Sequence, residues 1–300
     1  MGSFAGLKRR KTDFDALGKQ FDTSKKNTGD DRFYYPERDD QGNGYAIIRF
    51  LPTGDDTPPF VKYYSHRFKG LNGWFWNNCR TTLEEECPAC ELNRETVKPY
   101  GNWDSTPDDV KQIVRKRKRA LRYVSNIYVV KDTTHPENEG KVFLFQYGTK
   151  IMDKIKQAIK PEFEDEKPFD PFNPWTGANF TLKIRKVKGQ TNYDSSEFKE
   201  VGPMLDSDEE IEKVAEQLYD LSEFTSEDFF RSYDDQKNRL VRVLGLADHE
   251  AAQPTSEPAA PAPASAPAAS APEPAATSNL ADQDELKGLF DDEDDEDIPF

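Results

Sequence analysis

The sequence predicts an α+β chain with a low-complexity acidic end, and three observations carry that reading. Short runs rich in β-branched and aromatic residues are bounded by turn residues, as strands are. Between them lie stretches with helical periodicity and recognisable start signals. After about residue 250 the composition collapses to Ala, Pro and Ser through Thr277, a linker unable to bury a core.

Taken in order, residues 1–21 form a basic arm: Leu7-Lys8-Arg9-Arg10-Lys11-Thr12, then Phe14, Leu17 and Phe21 at helical spacing. A disordered arm and a short docking helix both fit it. Residues 22–44 are polar and turn-rich. Tyr45–Leu51 reads as a strand stopped by Pro52, and Tyr123–Lys131, Lys141–Tyr147 and Asn179–Val187 read as further strands. In the last, Phe180, Leu182 and Ile184 face one way and Lys183 and Arg185 the other, which suits a half-buried sheet with a cationic outer surface. Thr106-Pro107-Asp108-Asp109 opens a helix with proline at its first position, leading into the block Arg115–Arg119. Ile151, Ile155 and Ile159 mark a second helix. Ser207-x-x-Glu210 is a capping box ahead of Ile211, Val214, Leu218 and Leu221, and Phe229, Phe230, Tyr233, Leu240 and Leu244 suggest a last helix closed by Gly245.

The net charge of −15 conceals a polarity. Residues 1–199 hold 35 Lys and Arg against 29 Asp and Glu, a net of +6, whereas 200–250 carry −10 and 251–300 carry −11. A mildly basic body is followed by an acidic end, which suggests an anionic ligand and a tail that competes with it or recruits partners. No apolar run approaches membrane-spanning length. No secretion signal opens the sequence, so a reducing cytoplasm is expected.

All three cysteines fall in one window: His66 … Cys79 … Cys87-Pro88-Ala89-Cys90. A C-x-x-C lets one tight turn aim two thiolates at one ion, and Cys79 and His66 complete the Cys3His set of a structural zinc site. The soft donors favour Zn2+ over magnesium or calcium. A redox pair, or one disulfide and a spare thiol, are the competing readings. A catalytic zinc of the deaminase kind needs His-x-Glu, whereas Arg67 and Phe68 follow His66. No G-x-S-x-G and no phosphate-cradling glycine loop occurs, and His135 sits in a polar turn. No catalytic constellation emerges.

Cations interleave with aromatics instead. Tyr63, Tyr64, Arg67, Phe68, Lys69, Trp74, Phe75 and Trp76 surround the cysteine window, followed by Tyr100, Trp103, Lys118, Arg119, Arg122, Tyr123 and Tyr128, then Phe143, Phe145 and Tyr147 on one strand face. Many of these rings also suit a core. As a set, with Lys183 and Arg185, they fit a groove that tracks a phosphate backbone while bases stack on rings, a way of binding without sequence choice.

On these residues the chain resembles the single-stranded DNA-binding proteins of T-even-type phages, the gene 32 protein family. The order His66, Cys79, Cys87, Cys90 is similar to that family's zinc site, with a shorter gap between the second and third ligands. Gly44-x-Ala46-x-Ile48-Arg49-Phe50-Leu51-Pro52, Asn126-Ile127-x-Val129-Val130-Lys131-Asp132, Pro136–Phe143 and Trp175-x-Gly177-Ala178-Asn179-Phe180 are its other landmarks. The resemblance implies an OB-fold, a five-stranded barrel-like core, with a zinc subdomain inserted at about 60–125, within a DNA-binding core at 22–250 that ends in helices. It implies DNA contacts at Trp74, Lys118, Arg119, Tyr123 and Tyr193, although Val124 stands where the family has an aromatic. Lys8, Arg9, Arg10, Lys11 and Thr12 resemble the family's motif for self-association along the strand. A linker at 251–280 would lead to a disordered acidic tail at 281–300, whose tip, Asp297-Ile298-Pro299-Phe300, is similar to the partner-binding tip of bacterial single-stranded DNA-binding proteins. The implied partners are single-stranded DNA, further copies of the chain, phage polymerase, helicase loader, primase and recombination mediator, and host proteins at the tip, all in the cytoplasm of an infected bacterium. The expected role is cooperative, sequence-nonspecific coating of single strands in DNA replication, recombination and repair of DNA damage. A zinc-dependent nuclease or deaminase and a sequence-specific zinc regulator are the alternatives.

Overall fold

A computed structural model describes residues 30–54 and 57–246. The basic arm with Lys8–Thr12, the linker at 251–280 and the tail with Asp297, Ile298, Pro299 and Phe300 lie outside the described residues.

Eight strands form the centre: β1 (Gly44–Phe50), β2 (Val61–Gly70), β3 (Gly73–Asn78), β4 (Arg119–Asp132), β5 (Val142–Tyr147), β6 (Ala178–Val187), β7 (Gln190–Asn192) and β8 (Glu197–Val201). They hydrogen-bond in the order β3-β2-β4-β1-β6-β7, with β5 on β4 and β8 on β6, and every strand pair is antiparallel. The 14-residue β4 serves three partners in succession: β2 along Arg119–Val124, β5 along Tyr123–Tyr128 and β1 along Ile127–Asp132. A sheet this long with right-handed twist curls on itself. The result is a mixed fold around a curled antiparallel half-barrel, which is OB-like.

The half-barrel closes over an aromatic core. Phe50 is fully buried and meets Phe145, Tyr147, Phe172, Phe180 and Phe198 at ring-centroid distances of 5.6–6.4 Å. Helix α3 (Thr149–Ile159) lays Ile151, Met152 and Ile155 against it. Ala46, Ile48 and Phe50 on β1, and Phe180, Leu182 and Ile184 on β6, point inward with the period of two that the sequence shows.

Strands β2 and β3, absent from the sequence reading, make a hairpin over the cysteine window, joined by Leu71 and Asn72. Helix α1 (Pro88–Val97) also went unread, whereas α2 (Asp108–Arg117) begins just after Pro107, which stands before the helix rather than at its first position. In α4 (Asp208–Ala215) the Ser207 hydroxyl accepts the Glu210 N–H at 3.3 Å, as a capping box requires, but the helix ends before Leu218 and Leu221. Phe229 and Phe230 likewise precede α5 (Tyr233–Leu244), which Gly245 closes at φ +70°.

The hairpin turn docks on the C-terminus of α5. The backbone N–H of Asn72 donates to the Val243 carbonyl at 2.9 Å and its side-chain amide to the Arg242 carbonyl at 3.0 Å, satisfying groups a helix end leaves open. Gly70 makes the approach possible, because a Cβ there would sit 2.4 Å from the Val243 oxygen. Phe68, Phe75, Leu240 and Val243 then form one core with Cys79 and Cys87.

Candidate metal centre and nucleic-acid interface

The second core carries polar chemistry at its heart. His66 on β2, Cys79 just past β3, Cys87 at the N-cap of α1 and Cys90 in its first turn place their donor atoms within 4.8 Å of one another. Pro88 at the first helical position fixes the turn, and the positive helix end favours thiolate there. The Cys79 and Cys90 sulfurs lie 3.6 Å apart, and His66 Nε2 lies 3.5 Å from Cys87 Sγ and 3.3 Å from Cys90 Sγ. A tetrahedral zinc, with bonds of about 2.3 Å to sulfur and about 2.0–2.1 Å to nitrogen, spaces two sulfurs by about 3.8 Å and sulfur from nitrogen by about 3.5 Å. These three separations stand at that spacing, and all four donors lie within 4.8 Å of one another. His66 Nδ1–H donates to the Arg117 carbonyl at 2.8 Å, which fixes the tautomer and turns Nε2 toward the sulfurs.

The electrostatics ask for a cation. Burial opposes charge on the His66 ring, yet the sulfurs of Cys79 and Cys87 outweigh it and its pKa is pushed up to about 10. Contacts with Cys79 and Cys90 hold the Cys87 thiol far below its usual value, and the same crowding drives Cys90 above it. Three sulfurs this close cannot all ionise unless positive charge stands among them. The set can hold a metal ion.

The candidate nucleic-acid contacts divide between surfaces. His66 and Arg119 are direct cross-strand partners, so Arg119 shares the face of the sheet that carries the Cys3His cluster. Its guanidinium lies 4.1 Å from the Tyr64 ring centroid and donates to the Thr81 hydroxyl. Lys118 joins α2 to β4, and in α2 itself Lys111 and Arg115 sit 5.9 and 5.5 Å from the centroid of Trp103. Trp74 alternates onto the opposite face of the hairpin with Lys69, Arg67 and Trp76, and the Arg67 guanidinium lies 5.3 Å from its ring. Tyr100 is exposed at the end of a short turn after α1.

Other sequence-singled residues sit in or on the barrel. Phe145 is a core residue packed on Phe50 and Tyr34, which leaves no ring face for a base. Tyr123 is 6% exposed, stacked on Tyr147 at 5.6 Å and met edge-on by Phe60. Tyr193 is half-buried against the same core, Lys183 pairs with Glu197 at 3.0 Å, and Arg185 is exposed on β6. Sequence reasoning grouped Tyr64 with the aromatics but assigned it no role, and it missed Thr81. The alternation Lys62, Tyr64, His66 was the available signal for Tyr64, while nothing in the sequence distinguishes Thr81 from Thr82. His135, in its polar turn, lies 2.7 Å from Glu37 and 3.0 Å from Glu137.

A family model described as "gp32 DNA binding protein like" matches residues 42–244. The single-stranded DNA-binding protein of Enterobacteria phage T2 is 39% identical over 230 residues, covering 73% of this chain and 72% of its own. That of Enterobacteria phage T4 is 39% identical over 215 residues, covering 70% and 69%. Both carry the name of a binding protein rather than of an enzyme. Among the described residues no helix is long and apolar enough to cross a membrane.

Proposed function

The chain belongs to the gp32-like family of DNA-binding proteins, and from that premise we propose that it coats single-stranded DNA during phage DNA replication, without sequence preference and without catalysis. The observation that carries the reading is the Arg119 guanidinium over Tyr64, where the cationic end of α2 passes into β4 beside the Cys3His cluster. Backbone phosphates would meet Lys118, Arg119 and the α2 cations, and bases would stack on Tyr64 and on the exposed ring of Tyr100, with the half-buried Trp74 on the other face of the hairpin as a further candidate. Tyr123 and Phe145 then support the groove from beneath instead of stacking.

In this reading the core is an OB-fold into which residues 60–125 insert a subdomain, and one zinc ion held by His66, Cys79, Cys87 and Cys90 orders it. The ion is structural. Four protein donors would close its sphere, and the His-x-Glu that deaminases require is missing, since Arg67 and Phe68 follow His66. The N-terminal arm at Lys8–Thr12 would link neighbouring copies on the strand, and the tail tip Asp297–Phe300 would recruit replication and recombination proteins in the infected cell. The described chain ends at Leu246 beside the β2–β3 turn, where a Cβ on Gly245 would meet Leu71 and Asn72. The acidic tail beyond the linker would compete with DNA for the cationic groove.

The test is a titration of poly-pyrimidine single strand and of duplex at several salt concentrations, with zinc measured in the same preparation and a chain ending at residue 250 run alongside. Single-strand preference, a steep salt dependence and one zinc per chain are expected, with tighter low-salt binding by the shortened chain. Equal affinity for duplex and single strand overturns the function. Superimposed curves for the two chains overturn the tail's competition.

A further inference from the structure

The polar contacts around Cys79 run outward to the surface. Thr81 Oγ1 lies 3.1 Å from Cys79 Sγ and also accepts a hydrogen bond from Arg119 Nη1. A metal-bound cysteine is a thiolate without a proton to give, so the Thr81 hydroxyl donates to the sulfur and keeps its lone pairs for the guanidinium. The neighbouring backbone is tied into the same unit. The Cys79 N–H donates to the Tyr64 carbonyl at 2.7 Å, and the Tyr64 N–H donates to the Thr82 hydroxyl at 2.9 Å. The ring under Arg119, the hydroxyl beside it and the sulfur behind it are thus held by one short segment.

The charges agree in sign. A zinc ion with three thiolates and a neutral imidazole carries one formal negative charge, and this cluster is buried. A cation reaching it through one hydroxyl offsets that charge, and the cluster in return restrains the cation. Arg119 has several rotatable bonds to order before it can meet a phosphate, and ordering them in advance removes that cost from binding.

We propose that Thr81 is a positioning residue: it transmits the order of the metal centre to the guanidinium of Arg119 and presets it for a DNA phosphate. The proposal rests on the reading of Arg119 as a nucleic-acid contact. Thr81 itself touches no DNA in this arrangement. Its role is mutual, because coupling between two sites acts equally in both directions: the relay that steadies Arg119 for DNA also makes the ion harder to remove.

The test compares full-length, zinc-loaded wild type, Thr81→Val and Thr81→Ser. Thr81→Val keeps the shape and deletes the hydroxyl. It should bind single-stranded DNA about five- to tenfold more weakly, with one zinc still bound. Its log-log salt slope should fall by about 0.7, the share of one phosphate contact. Thr81→Ser, which restores the hydroxyl, should recover both. With cobalt in place of zinc, the sulfur-to-metal absorption band should move in Thr81→Val and not in Thr81→Ser. Unchanged affinity and slope in Thr81→Val, with wild type still preferring single strands, overturn the relay and leave the function standing. Loss of that preference in wild type itself would overturn the function instead. A second arm does not depend on Thr81 variants folding. Arg119→Gln should speed chelator-driven zinc release several-fold over wild type, while Lys160→Gln, the same charge change at the far end of α3, should not. Equal release from all three overturns the relay.

Discussion

Gly70→Ala tests how the hairpin beside the Cys3His cluster is seated. The backbone at Gly70 is not in the left-handed region, so alanine adds no conformational strain there and the effect is steric. The added Cβ would lie 2.4 Å from the Val243 carbonyl oxygen, 2.8 Å from its Cγ1 and 3.0 Å from its carbonyl carbon. Two of these are backbone atoms of α5 that cannot swing aside, so hairpin and helix must separate by roughly 1 Å or more to restore ordinary contact. Overpacking of this kind costs about 1–3 kcal/mol. The separation also weakens the two hydrogen bonds from Asn72 to the helix end, at about 1 kcal/mol each. A total of about 2–5 kcal/mol follows, which lowers Tm by about 5–15 °C in a domain of this size. Gly202→Ala is the control: no atom lies within 4 Å of its added Cβ, so Tm should stay within about 2 °C. Calorimetry of the two metal-loaded variants beside wild type decides it. Equal melting of Gly70→Ala and Gly202→Ala would refute the close approach of hairpin and helix.

Cys87→Ser removes one of four donors from a cluster that shares its core with Phe68, Phe75, Leu240 and Val243. Zinc content should fall below one per chain, with Tm and DNA affinity falling together, and full zinc content in the variant would refute the ligand set. His135 gives a pH signature. Its hydrogen bond to Glu137, with Glu37 nearby, raises its pKa above the ordinary value near 6.5, so the folded state favours the protonated ring. The stabilisation is complete below about pH 6.5 and is lost as pH rises through the higher folded value. His135→Asn should therefore flatten the decline of Tm across that window, and an unchanged profile would refute the pairing.

Strands with a continuous buried inner face were the legible ones. β1, β4, β5 and β6 announce themselves because Ile48, Phe50, Ile127, Val129, Leu144 and Leu182 have nowhere to go but a core. The metal donors were legible for another reason: cysteine is so scarce here that three in one window have few innocent readings. The hairpin between them was not, because its outward residues, Arg67, Lys69, Trp74 and Trp76, looked like a binding cluster before they looked like one face of two strands. Helix α1 hid for want of apolar residues, burying Ala89, Asn93 and Val97 where a stronger stripe would show leucine. Aromatic roles were the least legible. Tyr123 and Phe145 read in sequence like Trp74 and Tyr100, and only the closing of the barrel assigns the first pair to the interior. Arg49 was quoted within a strand motif, yet it is buried and donates to the carbonyls of Asn173, Pro174 and Gly202, contacts that become visible only when β1 meets the loop before β6 and the end of β8.

One strand joins these parts. β4 begins at Arg119 beside the metal cluster and ends at Asp132 in the barrel, and its middle pairs with β2 and β5 at Tyr123 and Val124. A disturbance of the cluster reaches Arg119 by two routes: through Thr81, and through the His66 Nδ1–H bond to the Arg117 carbonyl two residues before the strand starts. Neither route passes through the aromatic core around Phe50, which is closed by β1, the middle and far end of β4, β5, β6 and α3. Loosening the cluster therefore frees the cationic edge of β4 while its other end stays packed. On that geometry an ion held by the cluster would govern the proposed binding face more directly than the barrel.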